Sequence, residues 1–347
     1  KNLVCAFFDR MQEMLDDDGK LGAIFDRTVM IKSSYEAFRR RNLCGFITAC
    51  ADTGWGVLDA SVETSTLVLN RLSSDVEGVF MDVQDVNPEE KDENLSVLIR
   101  TYNRGEDAKW IYVAKSVEFD NLPNAIVGYY FDPIIIEYFG NINMVKRNII
   151  ARQGHAFISD WNFRNFYEIN DSLKYYSLYN GGSYSLFYSD YRICVKWEND
   201  GMAIRNHKSF RNSSSLYQLK RGVGFGKRGD IVDAHILKDN TFFTVEGMAF
   251  ADLKEGISVA CLSYVNCICA QYIVNLYTAQ HKQAGNMNLL PMPDYATRQS
   301  DIERIVNAII DIKRKWFSLD ETNLEYHGLI AQMHIDTTID AALNKMQ

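Results

Sequence analysis

The chain has 347 residues, 47% apolar and 24% charged, with a formal net charge of −8. These values exclude an intrinsically disordered chain and leave room for a large core, divided between two domains with a small appendage. Seven cysteines in mostly apolar runs, without an evenly spaced framework and with no visible signal peptide, argue against a disulfide-stapled secreted protein and for a reducing cytoplasm.

In KNLVCAFFDRMQEML, Val4, Phe7, Phe8, Met11 and Leu15 recur at helical spacing, which predicts an amphipathic opening helix. Because that helix is entered at Lys1 rather than at a Met, we expect the chain to start inside a longer protein. DDDGK then reads as a turn, LGAIFDR as a strand, and SSYEAFRRRNLCGF as a helix capped by Ser33 or Ser34. FITACAD, ETSTLVLNRL and VEGVFMDV read as strands, so the first hundred residues have an α/β pattern. Between Asp75 and Glu93 eight acids surround one lysine, together with Pro88, and this run reads as a solvated loop or strand edge. From about residue 125 Tyr and Phe become dense and short extended runs such as SYSLFYS and YRICVKW are broken by Gly and Asn, the texture of a mixed α+β domain. Ile257 to Tyr277 has no charge over twenty-one residues, but five of them are Ser, Asn or Gln. Dispersed amides are costly in hydrocarbon, so we expect one buried helix and no membrane partner. Finally, SDIERIVNAIIDIKRKWF places Ser300 and Glu303 as a capping box ahead of Ile302, Ile305, Val306, Ile309, Ile312 and Trp316, a packing helix.

Two signatures are present without their context. Gly224, Gly226 and Gly229 have the spacing of a dinucleotide-binding loop, and Glu246 follows Gly226 by twenty residues. That loop works by joining a strand to a helix whose amino end takes the pyrophosphate, whereas DIVDAHILKDNTFFTVEG has strand composition, so a nicotinamide enzyme is not expected. The Cys267–Cys269 pair has no second pair at zinc spacing and the six histidines are scattered, so no metal site is expected. There is no Gly-x-Ser-x-Gly elbow, and Pro293-Asp294 is not followed by a nuclease-type acid and lysine. No catalytic residues are assigned.

What stands out is residues 205–229, RNHKSFRNSSSLYQLKRGVGFGKRG, with seven Lys or Arg and no Asp or Glu. A local positive field steers polyanions, and the interleaved Asn206, Asn212, Gln218, Tyr217 and Phe225 can hydrogen-bond phosphates or base edges, or stack. The competing reading is an ordinary loop whose cations are neutralised by acids from elsewhere in the fold.

The opening KNLVCAFFDRMQEMLDDDGKLGAIFDRTVMIKSSYEAFRRRNL resembles the second half of the catalytic domain of gamma-class adenine-specific DNA methyltransferases. It is most similar to the single-chain type IIG restriction-modification enzymes and the methylases of BREX phage defence. DTGWGVLDASVETSTLVL resembles the family's Gly-rich stretch leading into a Glu-Thr strand. ARQGHAFISDWNFRNFYEI is similar to its Arg-x-Gly and Asn-x-Arg-Phe segments. The Gly181-Gly182, Phe187-Tyr188 and Trp197 to Gly201 elements follow, as does AQYIVNLYTAQHKQAGNMNLLPMP with its Gly-Asn exit.

The resemblance implies an α/β remnant of a SAM-dependent methyltransferase domain over 1–119, a mixed α+β target-recognition domain over 120–295 and a helical tail over 296–347. It implies recognition of double-stranded DNA by part of a site-specific N6-adenine methyltransferase, in which Arg205, Lys208, Arg211, Lys220, Arg221, Lys227 and Arg228 neutralise the backbone. Asn206, Asn212, Gln218 and His235 are then candidates for base edges, Phe225 for stacking, and Arg152 and Asn162 are added from the matched segments. Trp197, Gly181 and Gly182 are expected to hold the domain together rather than to touch DNA. The sequence departs from the family in lacking both the Gly-rich S-adenosylmethionine loop and the Asn-Pro-Pro-Tyr tetrad that engages a flipped adenine. The cofactor is therefore expected in a full-length parent and not here. The family's Thr-Trp stands as Gly224-Phe225 and its hairpin Arg as His235, which puts an inherited base preference in doubt. The alternative is a non-catalytic module docking other subunits of a defence complex through its acidic face.

Overall fold

The computed structural model describes residues 3–141, 149–157, 162–170, 174–182, 186–278, 281–323 and 325–326. The chain divides into two compact units, Lys1–Ile142 and Asn143–Gln347. The expected helical tail beyond Tyr326 and the start of SYSLFYS lie outside the described residues.

In the first unit the order is α1 (Leu3–Glu13), β1 (Lys20–Asp26), α2 (Thr28–Ile31), α3 (Glu36–Asn42), β2 (Ile47–Gly54), β3 (Thr64–Asn70), β4 (Glu77–Asp82), α4 (Lys91–Asn103), β5 (Ile111–Lys115) and α5 (Pro133–Asn141). The sheet runs β1-β3-β2-β4-β5. Strand β3 is antiparallel to both neighbours and β2 is parallel to β4, so β1, β2 and β4 point the same way. Phe8 fastens α1 to this sheet, packing edge-on against Phe25 at 5.3 Å and Phe38 at 5.7 Å. Phe7, expected on the same face, is 64% exposed. The apolar stripe passes through Val4, Phe8, Met11 and Leu15, and Phe7 lies to one side of it. Neither Ser33 nor Ser34 caps α3. Both belong to a 3₁₀ turn, Ser33–Tyr35, and α3 begins after Tyr35 without a side-chain cap.

The acidic run is a loop only in part, at residues 75–76 and 83–87, and it is not a sheet edge. Its first part is β4, paired on both sides with β2 and β5. Its second part opens α4, where Asp92 and Glu93 occupy the first turn and favour the positive end of the helix dipole. Leu98 then packs on Met81 and Val83.

The second unit contains β6 (Ala151–Arg152), β7 (Phe163–Asn165), β8 (Tyr175–Tyr179), β9 (Ile193–Lys196), α6 (Met202–Arg205), β10 (Gly222–Gly226), β11 (His235–Leu237), β12 (Thr241–Phe243) and β13 (Gly247–Ala251). Helices α7 (Glu255–Val265), α8 (Ile268–Tyr277), α9 (Ala284–Met287) and α10 (Gln299–Phe317) follow. Its sheets run β11-β10-β13-β6 and β12-β8-β9-β7. Alternation along extended chain feeds two cores from the same strands. Tyr179 and Phe243 enter a cluster with Tyr191, Leu237 and Ala249, while their neighbours Leu178 and Phe242 enter another with Val195, Trp197 and Ile204.

The apolar run expected as one helix is two, α7 and α8, bent by 69°. Among the described residues no single helix is long and apolar enough to cross a membrane. The amides in that run are backbone clamps. Asn266 bonds both the N–H and the C=O of Ala234 at 3.2 and 2.8 Å, and Gln271 does the same to Val232, both at 2.8 Å. Asn288 clamps Ala151 of β6 in the same way. Helix α10 starts at Gln299 without the expected Ser300–Glu303 capping box, because Glu303 instead accepts from the Gln299 amide at 2.7 Å. It packs through Val306 and Ile310, leaving Ile305, Ile312 and Trp316 exposed.

The domain boundary expected at 119/120 falls at 142/143. Residues 120–131 are held in the first unit because Arg39 binds the carbonyls of Asn124 and Ala125, and Tyr129 stacks on Phe80 at 5.3 Å. Helix α10 belongs to the second unit and forms no separate tail.

Candidate nucleic-acid interface

Residues 205–229 do not form one loop. They leave α6, run through residues 206–214, make a 3₁₀ turn at Ser215–Tyr217 and enter β10, an inner strand whose five residues are all buried. The strand accounts for Gly222, Gly224 and Gly226, while Gly229 lies beyond it. A Cβ on Gly222 would sit 2.0 Å from the Phe250 carbonyl oxygen of β13, so the glycines permit close strand packing instead of cradling a phosphate.

This path separates the seven cations. Lys220 pairs with Asp252 at 3.1 Å and Arg221 with Glu255 at 3.1 Å. Lys227 and Arg228 share Glu246 at 2.9 and 3.7 Å. Arg205 pairs with Asp200 at 2.9 Å and sits over the Trp197 ring. Lys208 and Arg211 are exposed and have no ion-pair partner among the described residues. Beside them Asn206 is exposed, as is Asn212, whose Oδ1 accepts from Ser215 at 2.6 Å. The stretch is held through its backbone, since Arg211 pairs with Ala156 and the Ser213 N–H donates to His155 Nδ1 at 3.1 Å.

Three expected contact residues face inward. Phe225 has no exposed surface and packs on Phe250 at 5.2 Å. Gln218 is buried, its amide spent on the N–H and C=O of Phe243 at 2.9 and 3.1 Å. His235 is fully buried beside Tyr179, and burial pushes its imidazole down to about 4, so it is neutral at pH 7. These residues hold strands and cannot meet a base edge in this fold. Sequence composition could not separate them from surface polar residues, because a Gln or His looks the same in either place.

Arg152 and Asn162 each line a cavity. Arg152 lies 3.4 Å above the Tyr217 ring at a cavity of about 330 Å³. Asn162, 7% exposed, lines one of about 320 Å³ together with Lys196, Asn199 and Asn206. A third, of about 480 Å³, is bounded by Asn180, Gly181, Gly182, Lys227, Arg228 and Glu246. The Trp197 to Gly201 turn has the packing role expected of it: Asn199, Asp200 and Gly201 are all left-handed, and a Cβ on Gly201 would lie 2.6 Å from the Trp197 ring.

Sequence reasoning missed two sets of residues. His155 is stacked among Phe157, Trp197, Phe210 and Phe242, and burial followed by Arg205 pushes it down to about 4. In the first unit, buried Asp52 accepts from Arg27 at 2.8 Å, Ser65 at 2.9 Å and Tyr129 at 2.9 Å. Burial, Asp52 and Asp82 raise the Tyr129 phenol far above its ordinary range, so it stays a neutral donor. Among the described residues no group of His, Cys, Asp or Glu is arranged to hold a metal ion.

Over its full length the chain is similar to 48% of the type IIL restriction-modification enzyme MmeI, solved in complex with DNA, at 10% identity and a TM-score of 0.50. Its fold is similar to that of part of this enzyme. Over 88% of its length it is also similar to 44% of the type IIG restriction endonuclease BpuSI, at 14% identity and a TM-score of 0.38. The chain thus spans about half the length of these solved proteins. No protein-family model matches it, and no curated protein does.

Proposed function

We propose that this chain is the DNA sequence-recognition part of a site-specific N6-adenine DNA methyltransferase of a restriction-modification or phage-defence system. The observation that carries the reading is the likeness of the whole chain to half of MmeI, a restriction-modification enzyme solved with DNA. In this reading the second unit is the reader. Lys208 and Arg211 neutralise phosphates of double-stranded DNA, and Asn206 and Asn212 beside them meet base edges. The acid-paired cations Lys220, Arg221, Lys227 and Arg228 shape the field without contacting phosphate directly. The parent acts in the cytoplasm, with S-adenosylmethionine as its methyl donor. The glycine series of this chain does not fit that cofactor, since Gly224 and Gly226 are buried in β10 and Gly229 beyond it leads into no helix.

A second reading, a module docking other subunits of a defence complex, is favoured by the neutralisation of those four cations by Asp252, Glu255 and Glu246. Salt dependence separates the two. Binding of the chain to a fluorescent duplex is measured across a salt series, beside Lys208→Ala/Arg211→Ala. Loss of two phosphate contacts flattens the slope of log affinity against log salt by about 1.8. Undetectable binding at low salt, or an unchanged slope, overturns the placement of DNA on this surface and favours subunit docking.

A further inference from the structure

We infer that the cavity between β6, β13 and the start of α7 is a binding site for the phosphate and sugar of a nucleotide unit. The inference rests on the DNA-recognition reading for the source of that unit, a phosphodiester of the DNA backbone. The cavity has a volume of about 330 Å³, and its lining combines the cations Arg152 and Lys254 with apolar Ile150, Leu253 and Ile257 and the Tyr217 ring.

Arg152 is set by the strand it belongs to, where its backbone pairs with Ala249 of β13. Its guanidinium carbon lies 3.4 Å from the Tyr217 ring centroid, and stacking of this kind fixes the plane of the fork. The Arg152 Nε is buried and has no hydrogen-bond partner among the described residues. Among the described residues neither Arg152 nor Lys254 is paired with a carboxylate. The one acid at the cavity, Asp252, is held by Lys220 at 3.1 Å, so the lining keeps a positive balance. A planar, pre-oriented guanidinium matches two oxygens of a phosphate, and the ammonium of Lys254 adds a second charge. A bare phosphate would leave the apolar lining residues uncovered. A deoxyribose phosphate covers them with the carbon face of the sugar.

The test uses the full chain and thymidine 5′-monophosphate, with inorganic phosphate and thymidine as partial probes, followed by calorimetry. The expected result is binding of the monophosphate more tightly than of either partial probe. Arg152→Gln lowers that affinity about tenfold, Lys254→Gln lowers it several-fold, and Tyr217→Phe, which keeps the ring, leaves it unchanged. Lys254 is exposed, so its variant keeps the test decisive should Arg152→Gln fail to fold. Absence of monophosphate binding to the wild-type chain, or equal affinity in Lys254→Gln and a folded Arg152→Gln, overturns the site.

The same variants are then carried into the duplex salt series. A flattening of the slope by about 1.8 in Arg152→Gln/Lys254→Gln identifies the occupant as DNA backbone. An unchanged slope with Arg152-dependent monophosphate binding identifies it as a free nucleotide and overturns the backbone assignment. Duplex binding that depends on Lys208 and Arg211 in a chain that takes no monophosphate removes this site and leaves the DNA reading intact.

Discussion

Arg39 shows how a motif residue that looks like a surface charge can be an organiser of the fold. Its side chain is wholly buried and donates only to carbonyls, those of Val29 at 2.7 Å, Lys32 at 2.8 Å, Asn124 at 2.8 Å and Ala125 at 3.0 Å. Burial lowers it to about 10, so it stays charged at pH 7. Two of its acceptors, Asn124 and Ala125, are left-handed, a conformation that persists only where the surroundings hold it. Arg39→Met should therefore lower stability by about 3 kcal/mol or more, since several carbonyls are left buried and unmet. The neighbouring Arg40→Ala removes only exposed pairs with Glu36 and Asp120 and should cost less than about 1 kcal/mol. Equal losses for the two in urea denaturation would refute this assignment.

His155 and His235 make a second prediction at the same scale. Both are pushed from the ordinary imidazole value to about 4 in the fold, so the unfolded chain takes up protons first on acidification. Their contribution to stability is complete above about 6.5. It is lost as pH falls from there through about 4. Proton NMR of the two rings should show no titration above pH 5, and thermal midpoints should fall steadily over that window. A ring titrating near 6.5 in the folded chain would contradict the burial argument.

Among the elements, β10 decides how the basic segment is read. Packing against β13 brings the Phe250 carbonyl to where a Gly222 side chain would begin, whereas Gly22, in β1, has nothing within 4 Å. Both are strand glycines, and the sequence does not distinguish them. Gly222→Ala should destabilise by about 3 kcal/mol, because backbone cannot yield as a side chain can. Gly22→Ala should be neutral or stabilise by about 0.5 kcal/mol through the unfolded chain. Chemical denaturation of both variants checks the contrast, and a harmless Gly222→Ala would mean that β10 and β13 can separate. Helices α7 and α8 carry the other lesson at this scale. Their amides argue against a lipid environment, but what they do is clamp residues 232–234, an extended segment more than thirty positions earlier. Asn266→Ala leaves the Ala234 N–H unmet, whereas its C=O keeps the bond from the Phe187 N–H at 2.8 Å, and should cost about 1–2 kcal/mol, measurable in the same experiment.

For the whole molecule, period and composition are enough to read the alternation of helix and strand in the first unit, the change of texture into the second and the amphipathic α10. These depend on local spacing, and local spacing survives in the sequence. Helix α4 and the interior position of β4 were hidden behind the acids of residues 75–93, because acids at a helix start and at strand ends look like a solvated run until their neighbours are known. The boundary at 142/143 was hidden for a related reason: residues 120–131 belong to the first unit through Arg39 and Tyr129, contacts made across 85 and 49 positions of chain. The seven cations of residues 205–229 were legible as a charge-pure segment. Which of them remain available was not. By itself the sequence determined the amount of charge, its concentration in residues 205–229 and the apolar periods. Only the tertiary structure decided that Lys220, Arg221, Lys227 and Arg228 face carboxylates, that Lys208 and Arg211 face none among the described residues, and that Gln218, Phe225 and His235 are interior. Charge belongs to a residue, whereas its neutralisation and burial belong to neighbours that chain folding brings from elsewhere.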